Sequence, residues 1–500
     1  MKKWFSLFLC LWVGLLPAQS IFFENTIGGP SQDIGRSAIQ TSDNQFAAVG
    51  YTSSFGGGNS DVWLVKVLPT GFPRWTKTFG GTGVDLGMCL RETKPDQGLI
   101  IAGYTDSYGA GGYDCYLIKT DSTGTAQWTK TYGGADWDMA YSVSLTSDGG
   151  YILVGGTYSY GTGDEDVYLI KTNAIGDTLW TRTFGGKKQD EGRSVKQTID
   201  GGYIIAGTTK SFRDTVNGDA YIIRTDPNGN MLWQKSYGGP FTDYAHDIIE
   251  FADSTFYFVG GSYSYCQGTP GSNEDVITGK LASTGDSLHI LNWGGSADDG
   301  AESMIELTPT RCIVLCNTKS YGYANNTFDF WAFYSDQYGD WITGNTFGDS
   351  SMPSDEVGYS ICRTNDNGYL MCGYSTGFKT NGIPDFFLVK ADSLLGTPPI
   401  IAGIASFLVS HIRVSPLYPD PVTDHAFLDI SSPDKSGPVK IRLFDVSGRD
   451  LTEELQVEQV EINGDTKLML RFNKAGLEPG MYFYELRIGG QSGSGKFILH

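Results

Sequence analysis

The residues able to do chemistry are few in type and repeated in place. The chain of 500 residues has five histidines, at 246, 289, 411, 425 and 500. Only His246 and His289 precede residue 398, and neither has a second His at metal-binding spacing. A Ser-His-Asp arrangement would have to use His246, and no Gly-x-Ser-x-Gly elbow accompanies it. Taken alone, His246 reads as an ordinary loop or strand residue. Carboxylates recur instead. Asp33, Asp85, Asp138, Asp190, Asp243 and Asp298 each follow a Gly-Gly pair as Asp-x-Gly or Asp-x-Ala, and Glu356 stands in the seventh copy. A carboxylate repeated so regularly suits capping of backbone N–H groups better than acid–base work. A glycosidase needs one distinguished pair, and the repeat supplies many equal ones. The expectation is no catalytic residue and no resident metal, with calcium the one cofactor such oxygens would suit.

The elements that position these residues follow from the repeat itself. Gly-Gly pairs stand at 28–29, 80–81, 133–134, 185–186, 238–239 and 294–295, and a degenerate copy is Gly348-Asp349. The spacings are 52, 53, 52, 53, 56 and 54 residues. An Asp before an apolar run keeps the same phase at 61, 114, 166, 219, 275, 329 and 385. Each repeat contains four short strand signals, with Asp-Gly-Gly or Asn-Gly turns between the first two. Four antiparallel strands repeated seven times predict an all-β, seven-bladed β-propeller over residues 21–398. The segment 23–29 reads Phe-Glu-Asn-Thr-Ile-Gly-Gly, like the fourth strand at 75–81, and the seventh repeat stops near Gly396 without its own. The N-terminal strand is therefore expected to complete the last blade and hide its edge.

Composition agrees. Gly is 67 of 500 residues, aromatics are 13% and charged residues 18%, which suits short strands and glycine turns rather than disorder or helices. The net charge of −20 argues against a nucleic-acid binder, which needs Lys and Arg against phosphate. The cysteines beyond Cys10 are 89, 115, 266, 312, 316, 362 and 372, an odd number without a CxxC. Cys312 and Cys316 are too far apart along one strand to bond, at about 13 Å. Cys362 and Cys372 flank a turn and could pair across it.

The run Trp128-Thr-Lys-Thr-Tyr-Gly-Gly, then Asp138, Asp148-Gly-Gly-Tyr and Asp166-Val-Tyr-Leu-Ile-Lys, resembles the bacterial SBBP propeller repeat, and is distantly similar to kelch repeats. That resemblance implies a fold and little about activity. The Asp121-x-x-Gly124-x-x-x-Trp128 pattern, repeated at Asp226, Gly229 and Trp233, vaguely resembles the docking motif of quinone-dependent propellers and the sialidase Asp-box, with the Asp displaced by one. Its tryptophans are expected to dock neighbouring blades. On the longer loops, between second and third strands, stand Tyr108, Tyr160, Phe212, Tyr263, Tyr265 and Tyr321. Aromatic faces beside Asp and Asn suit sugars or peptides, so these six are the expected ligand-binding residues. The alternative is that they pack between blades.

Both ends read as addresses. Residues 1–20 have a basic start at Lys2 and Lys3, an apolar run over 4–16 and a small-x-small site at Ala18-Gln19-Ser20, the pattern of a cleaved secretory signal. No segment of the mature chain is expected to span a membrane. After a linker at 399–411, residues 412–500 alternate like a small Ig-like β-sandwich. Tyr418-Pro419-Asp420-Pro421, Asp445-Val-Ser-Gly448-Arg449, Leu477-Glu-Pro479-Gly480-Met-Tyr482 and a terminal Lys496-Phe-Ile resemble the type A sorting domain of the type IX secretion system of Bacteroidetes. Asp420 stands where that family usually has Asn. The resemblance implies export across both membranes, with the secretion machinery as partner through residues 412–500. Together these features predict a secreted or surface-exposed, non-catalytic recognition or adhesion scaffold for a glycan or protein. The alternatives are a polysaccharide-active hydrolase or lyase and a structural envelope component.

Overall fold

The computed structural model describes residues 22–395, except 213–216, 268, 324–325, 337, 350–352 and 379–381, and beyond them the strands between 413 and 499 and Leu451. The signal segment and the linker lie outside the described residues. The chain divides into two compact units between Pro398 and Pro399. No helix among the described residues is long and apolar enough to cross a membrane.

The first unit is a seven-bladed propeller of four-stranded antiparallel sheets. In the first blade the strands are Asp33–Gln40, Phe46–Thr52, Asp61–Val67 and Pro73–Phe79, from the axis outward. Both faces of every blade are covered by neighbours, so the middle strands read as unbroken apolar runs rather than alternating ones. All seven residues of Asp61–Val67 are buried, whereas Pro73–Phe79 is mostly exposed. Among the described residues, each pair of adjacent blades shares a core cluster. The last joins Phe386 and Leu388 of blade seven to Phe46 and Trp63 of blade one, which closes the ring.

The closing strand is the predicted one. Phe23–Ile27 pairs antiparallel with Asp385–Ala391, Phe23 opposite Lys390 and Ile27 opposite Phe386. Asn25 also donates to the Gly71 carbonyl of blade one at 2.7 Å. Outer tryptophans dock each of the first four blades on the next. Gly124 lies at φ +78°, and a Cβ there would come within 2.5 Å of the Trp75 ring. Glycine is thus required both by backbone and by contact.

The repeated carboxylates are buried caps. Asp138 accepts from Gly134 N at 2.7 Å and Ser159 Oγ at 2.6 Å, and also from the Thr157 hydroxyl. The sixth copy is Asp299 rather than Asp298: Asp299 accepts from Gly295 N and Thr318, while Asp298 pairs with Lys319. The distance that matters is four residues after the second Gly, which the Asp298-Asp299 doublet obscures. A cation is repeated too. Lys66, Lys119, Lys171, Arg224 and Lys390 are buried in third strands and reach Asp43, Asp96, Asp148, Asp200 and Asp366 of the inner hairpin turns.

All seven described cysteines are free. Cys362 stands opposite Leu370 and Cys372 opposite Ser360. The expected cross-turn pair is therefore diagonal rather than facing, because the turn at 364–368 sets a register that offsets the two cysteines by two residues.

A pH dependence follows. Burial, and then Glu356, push Glu24 up to about 7, and Asp329 likewise to about 7. Burial raises Asp275 and Asp385 to about 6, and Glu165 and Glu274 to about 7. In the unfolded chain these groups titrate near 4, so the folded state holds protons that unfolding releases between about pH 4 and 7. Stability from this source is present at acidic pH and lost as pH rises through 6–7. Asp43, Asp96, Asp200 and Asp366 are lowered, and Asp148 to about 2, so their contribution is lost only below about pH 4. Calorimetry from pH 4 to 9 is expected to give the highest melting temperature near pH 5. A melting temperature that rises from pH 5.5 to 8 contradicts this assignment.

The second unit has one sheet built from Arg413–Val414, His425–Ser431, Asp465–Phe472 and Leu455–Ile462, and another from Val439–Asp445, Gly480–Ile488 and Gln491–Leu499. Gly480 and Tyr482 begin the central strand of the second sheet, where Tyr482 pairs with Phe497 and Phe483 with Lys496. Tyr418, Pro419, Pro421, Gly448 and Pro479 lie outside the described residues.

Candidate functional site

Each inner strand carries a one-residue bulge at the same place. In blade one Gly35 pairs with Gly50 and Ser37 with Val49, which leaves Arg36 without a cross-strand partner. The same skip isolates Met88, Tyr141, Arg193, His246, Glu302 and Tyr359. A bulge bends the strand and re-aims the extra side chain. The second strand makes room with a glycine: a Cβ on Gly50 would lie 1.8 Å from the Ile34 carbonyl oxygen, and one on Gly155 1.8 Å from that of Met139. All seven residues at these bulges line a cavity of about 310 Å³ on the propeller axis.

Around the axis they fall into three adjacent pairs and one lone apolar residue. The Arg36 guanidinium lies 4.0 Å from the centre of the Tyr359 ring, and that of Arg193 lies 4.3 Å from the Tyr141 ring. His246 Nδ1 is 2.9 Å from Glu302 Oε2. Met88 faces the cavity without such a partner among the described residues. Next to this ring, Ser37, Ser142, Ser194, Ser303 and Ser360 supply hydroxyls. Asp247 accepts from Ser194 Oγ at 2.7 Å and from Lys196 Nζ at 2.8 Å.

A carboxylate network supports the His246 side. Arg193 Nη2 is 3.0 Å from Glu191. Tyr244 stacks 4.4 Å from His246 and donates to Glu274. Burial holds Glu274 at about 7, and burial with the nearby Glu191 holds Glu165 at about 7. Burial also raises the Tyr141 and Tyr359 hydroxyls, which therefore stay protonated in the physiological range. Chemically, the ring presents two guanidinium groups for an anion, tyrosine hydroxyls as proton donors, and an imidazole whose orientation a carboxylate can fix. No group of three or more His, Cys, Asp or Glu side chains able to hold a metal occurs among the described residues.

The loop aromatics are not brought together. Tyr108, Tyr160 and Tyr265 donate to the carbonyls of Gly80, Gly133 and Gly238 at 2.7–2.8 Å, and Tyr321 donates to that of Gly294. Tyr108, Tyr160, Phe212 and Tyr321 lean on the third-strand rings of Tyr116, Tyr168, Tyr221 and Trp331. Each is tied to its own blade junction, one face outward. Of the six, Tyr263 is the one that reaches the axial network, through Glu274 at 3.3 Å. His289 lies on an outer strand, edge-on to Tyr338. The sequence marks the axial ring only faintly, as the second of two variable positions in Asp/Glu-x-Gly/Ala-X followed by Ser, Cys or Asp.

Residues 416–500 match the family described as secretion system C-terminal sorting domain. The chain thus carries a type IX sorting tail, and it is exported to the cell surface or secreted. It is similar to the regulatory protein FlaEY of Caulobacter vibrioides, 26% identical over 181 residues, covering 31% of this chain and 19% of that protein. The chain therefore matches about a fifth of that relative's length. Among solved structures it is similar to a protein of unknown function from Bacteroides caccae, at 15% identity over 57% of this chain and 88% of that one, TM-score 0.33. It is also similar to puromycin hydrolase, at 12% identity over 83% and 63% of the two chains, TM-score 0.44. A PL25 ulvan lyase bound to saccharide aligns at 10% identity over 75% and 96%, TM-score 0.45. Likenesses at this level say nothing about activity.

Proposed function

We propose that this exported propeller recognises an extracellular ligand at its axis, and that the ligand is a glycan end bearing a carboxylate. The observation that carries the reading is the bulge ring, which gathers one residue of every repeat, its type changing from blade to blade, around a single cavity. Arg36 and Arg193 offer planar, permanently charged forks for a carboxylate, and the hydroxyl-rich tier beside them suits sugar hydroxyls. The cavity is too small for a folded partner. The mature surface is strongly acidic, with the chain at −20 overall, so a single terminal carboxylate suits the site better than a long polyanion.

Methyl glucuronide and methyl glucoside form a matched pair of probes. The acidic sugar is expected to bind the mature protein, and Arg193→Gln to weaken it roughly tenfold without affecting any binding of the neutral twin. An acidic-sugar affinity untouched by Arg193→Gln sinks the reading.

One observation favours a second, catalytic reading. His246 and Glu302 are in contact at 2.9 Å beside protonated tyrosines, an arrangement able to move a proton to or from a bound sugar. In that case His246→Asn leaves binding and removes turnover of an acidic polysaccharide by about a hundredfold or more. Binding by the wild type without any product formation favours recognition alone.

A further inference from the structure

The sixth blade departs from the repeat in a coordinated way. In blades one to four the outer strand places Trp75, Trp128, Trp180 and Trp233 five residues before the Gly-Gly, each covering the turn glycine of the next blade. On the face turned to blade five, the sixth copy has Gly344 where blades one to five have Thr, Gln or Ile. The fifth copy has His289 in place of the tryptophan and ends in Trp293, where the first four end in Phe or Tyr. The outer surface between blades five and six is therefore hollow where the first four junctions carry a tryptophan. It holds a groove of about 450 Å³, within the roughly 300–1,000 Å³ of small-molecule sites.

The lining has a definite chemistry. Trp331, 6% exposed, is the floor, and Trp293 is fixed beside it by its Nε1 donating to the Gly339 carbonyl at 2.8 Å. Trp341 and Tyr321 are 49% and 47% exposed and form the outer walls. Gly344 keeps the backbone bare, since a Cβ there would meet the Ala332 carbonyl oxygen at 2.6 Å. Asn345 contributes only its backbone, because its side chain faces blade seven, where Nδ2 donates to the Leu395 carbonyl at 2.9 Å. None of the described lining residues is charged.

We infer that this groove is a second, independent ligand site that binds a neutral pyranose ring of a glycan. Flat aromatic faces match the apolar C–H face of a sugar, and the bare backbone at Gly344 lets the ring approach closely. The absence of charge from the described lining disfavours uronates and peptide termini. The site does not rest on the axial reading, because it shares no residue with the bulge ring.

The test uses the mature protein and short neutral oligosaccharides of gluco, manno, galacto and xylo configuration, followed by tryptophan fluorescence and saturation-transfer NMR. At least one is expected to bind saturably. Trp341→Ala is expected to weaken it roughly tenfold with the melting temperature unchanged, and Trp341→Phe to weaken it less. Arg193→Gln is expected to leave it untouched. The inference is overturned if no neutral saccharide binds, if binding survives Trp341→Ala, or if Arg193→Gln abolishes it and so moves the site to the axis.

Discussion

Deleting residues 22–27 is expected to cost this propeller most of its stability. That segment contains the outer strand of the last blade, and its loss bares the edge of Asp385–Ala391. Phe23 packs on the blade one/seven cluster, 6.0 Å from Phe46, and Ile27 is 8% exposed within that cluster. Burying two such side chains contributes about 1.5–3 kcal/mol each. The lost ladder and the Asn25–Gly71 bond add about 1 kcal/mol per hydrogen bond. The total rivals the 5–15 kcal/mol by which whole domains are usually stable. The truncated protein should be largely unfolded or aggregated, because an exposed strand edge invites pairing with another chain. Ile27→Asp, which keeps the chain length, should lower the melting temperature steeply and Phe23→Ala more mildly. Full-length and truncated proteins melting within a few degrees of one another would mean that closure comes from elsewhere.

The second large effect is expected at a buried cap. Asp138→Ala removes a carboxylate that is 0% exposed and strands the Gly134 amide and two hydroxyls. A buried charged acceptor with three donors is costly to remove, about 3–5 kcal/mol. For a domain of this size that is roughly 4–6 °C in melting temperature. Asp138→Asn keeps the shape but turns an amide N–H₂ towards groups that are themselves donors, so it should recover only part of the loss. Asp121 is the internal control. It caps an exposed turn through Thr123 N and Thr125 N at 2.8 and 2.9 Å, and its replacement by Ala should cost no more than about 1 kcal/mol. Equal effects at 138 and 121 would refute the distinction between the two.

What the sequence discloses and what it conceals follow from one difference. Blade number, strand order and the closing strand are set by burial, and burial writes itself as periodicity and turn chemistry at a fixed phase. The cap function of Asp138 was legible for the same reason, since every repeat needs it. The axial site depends on the opposite property. Arg36, Met88, Tyr141, Arg193, His246, Glu302 and Tyr359 share no common residue type and lie 52 to 57 residues apart, and a bulge leaves no trace in apolar alternation. Their convergence becomes visible only when the blades are wound into a ring. The loop tyrosines conceal their contacts as well. Nothing in Tyr108 or Tyr160 announces that its hydroxyl will be taken by a glycine carbonyl of the adjoining turn. The Lys171–Asp148 contact was hidden too, because an Asp-Gly-Gly turn explains its Asp without a cation.

The closing strand has a mechanical consequence. The propeller leaves its last blade through Asp385–Ala391, which is not an edge strand: Tyr369–Ser375 flanks it on one side and Phe23–Ile27 on the other. Tension applied through the tail must therefore slide one strand past two hydrogen-bonded ladders at once, instead of peeling a free edge bond by bond. A ligand held at the hub and a tether at the rim would load the assembly in shear, the direction in which β-sheets resist pulling best.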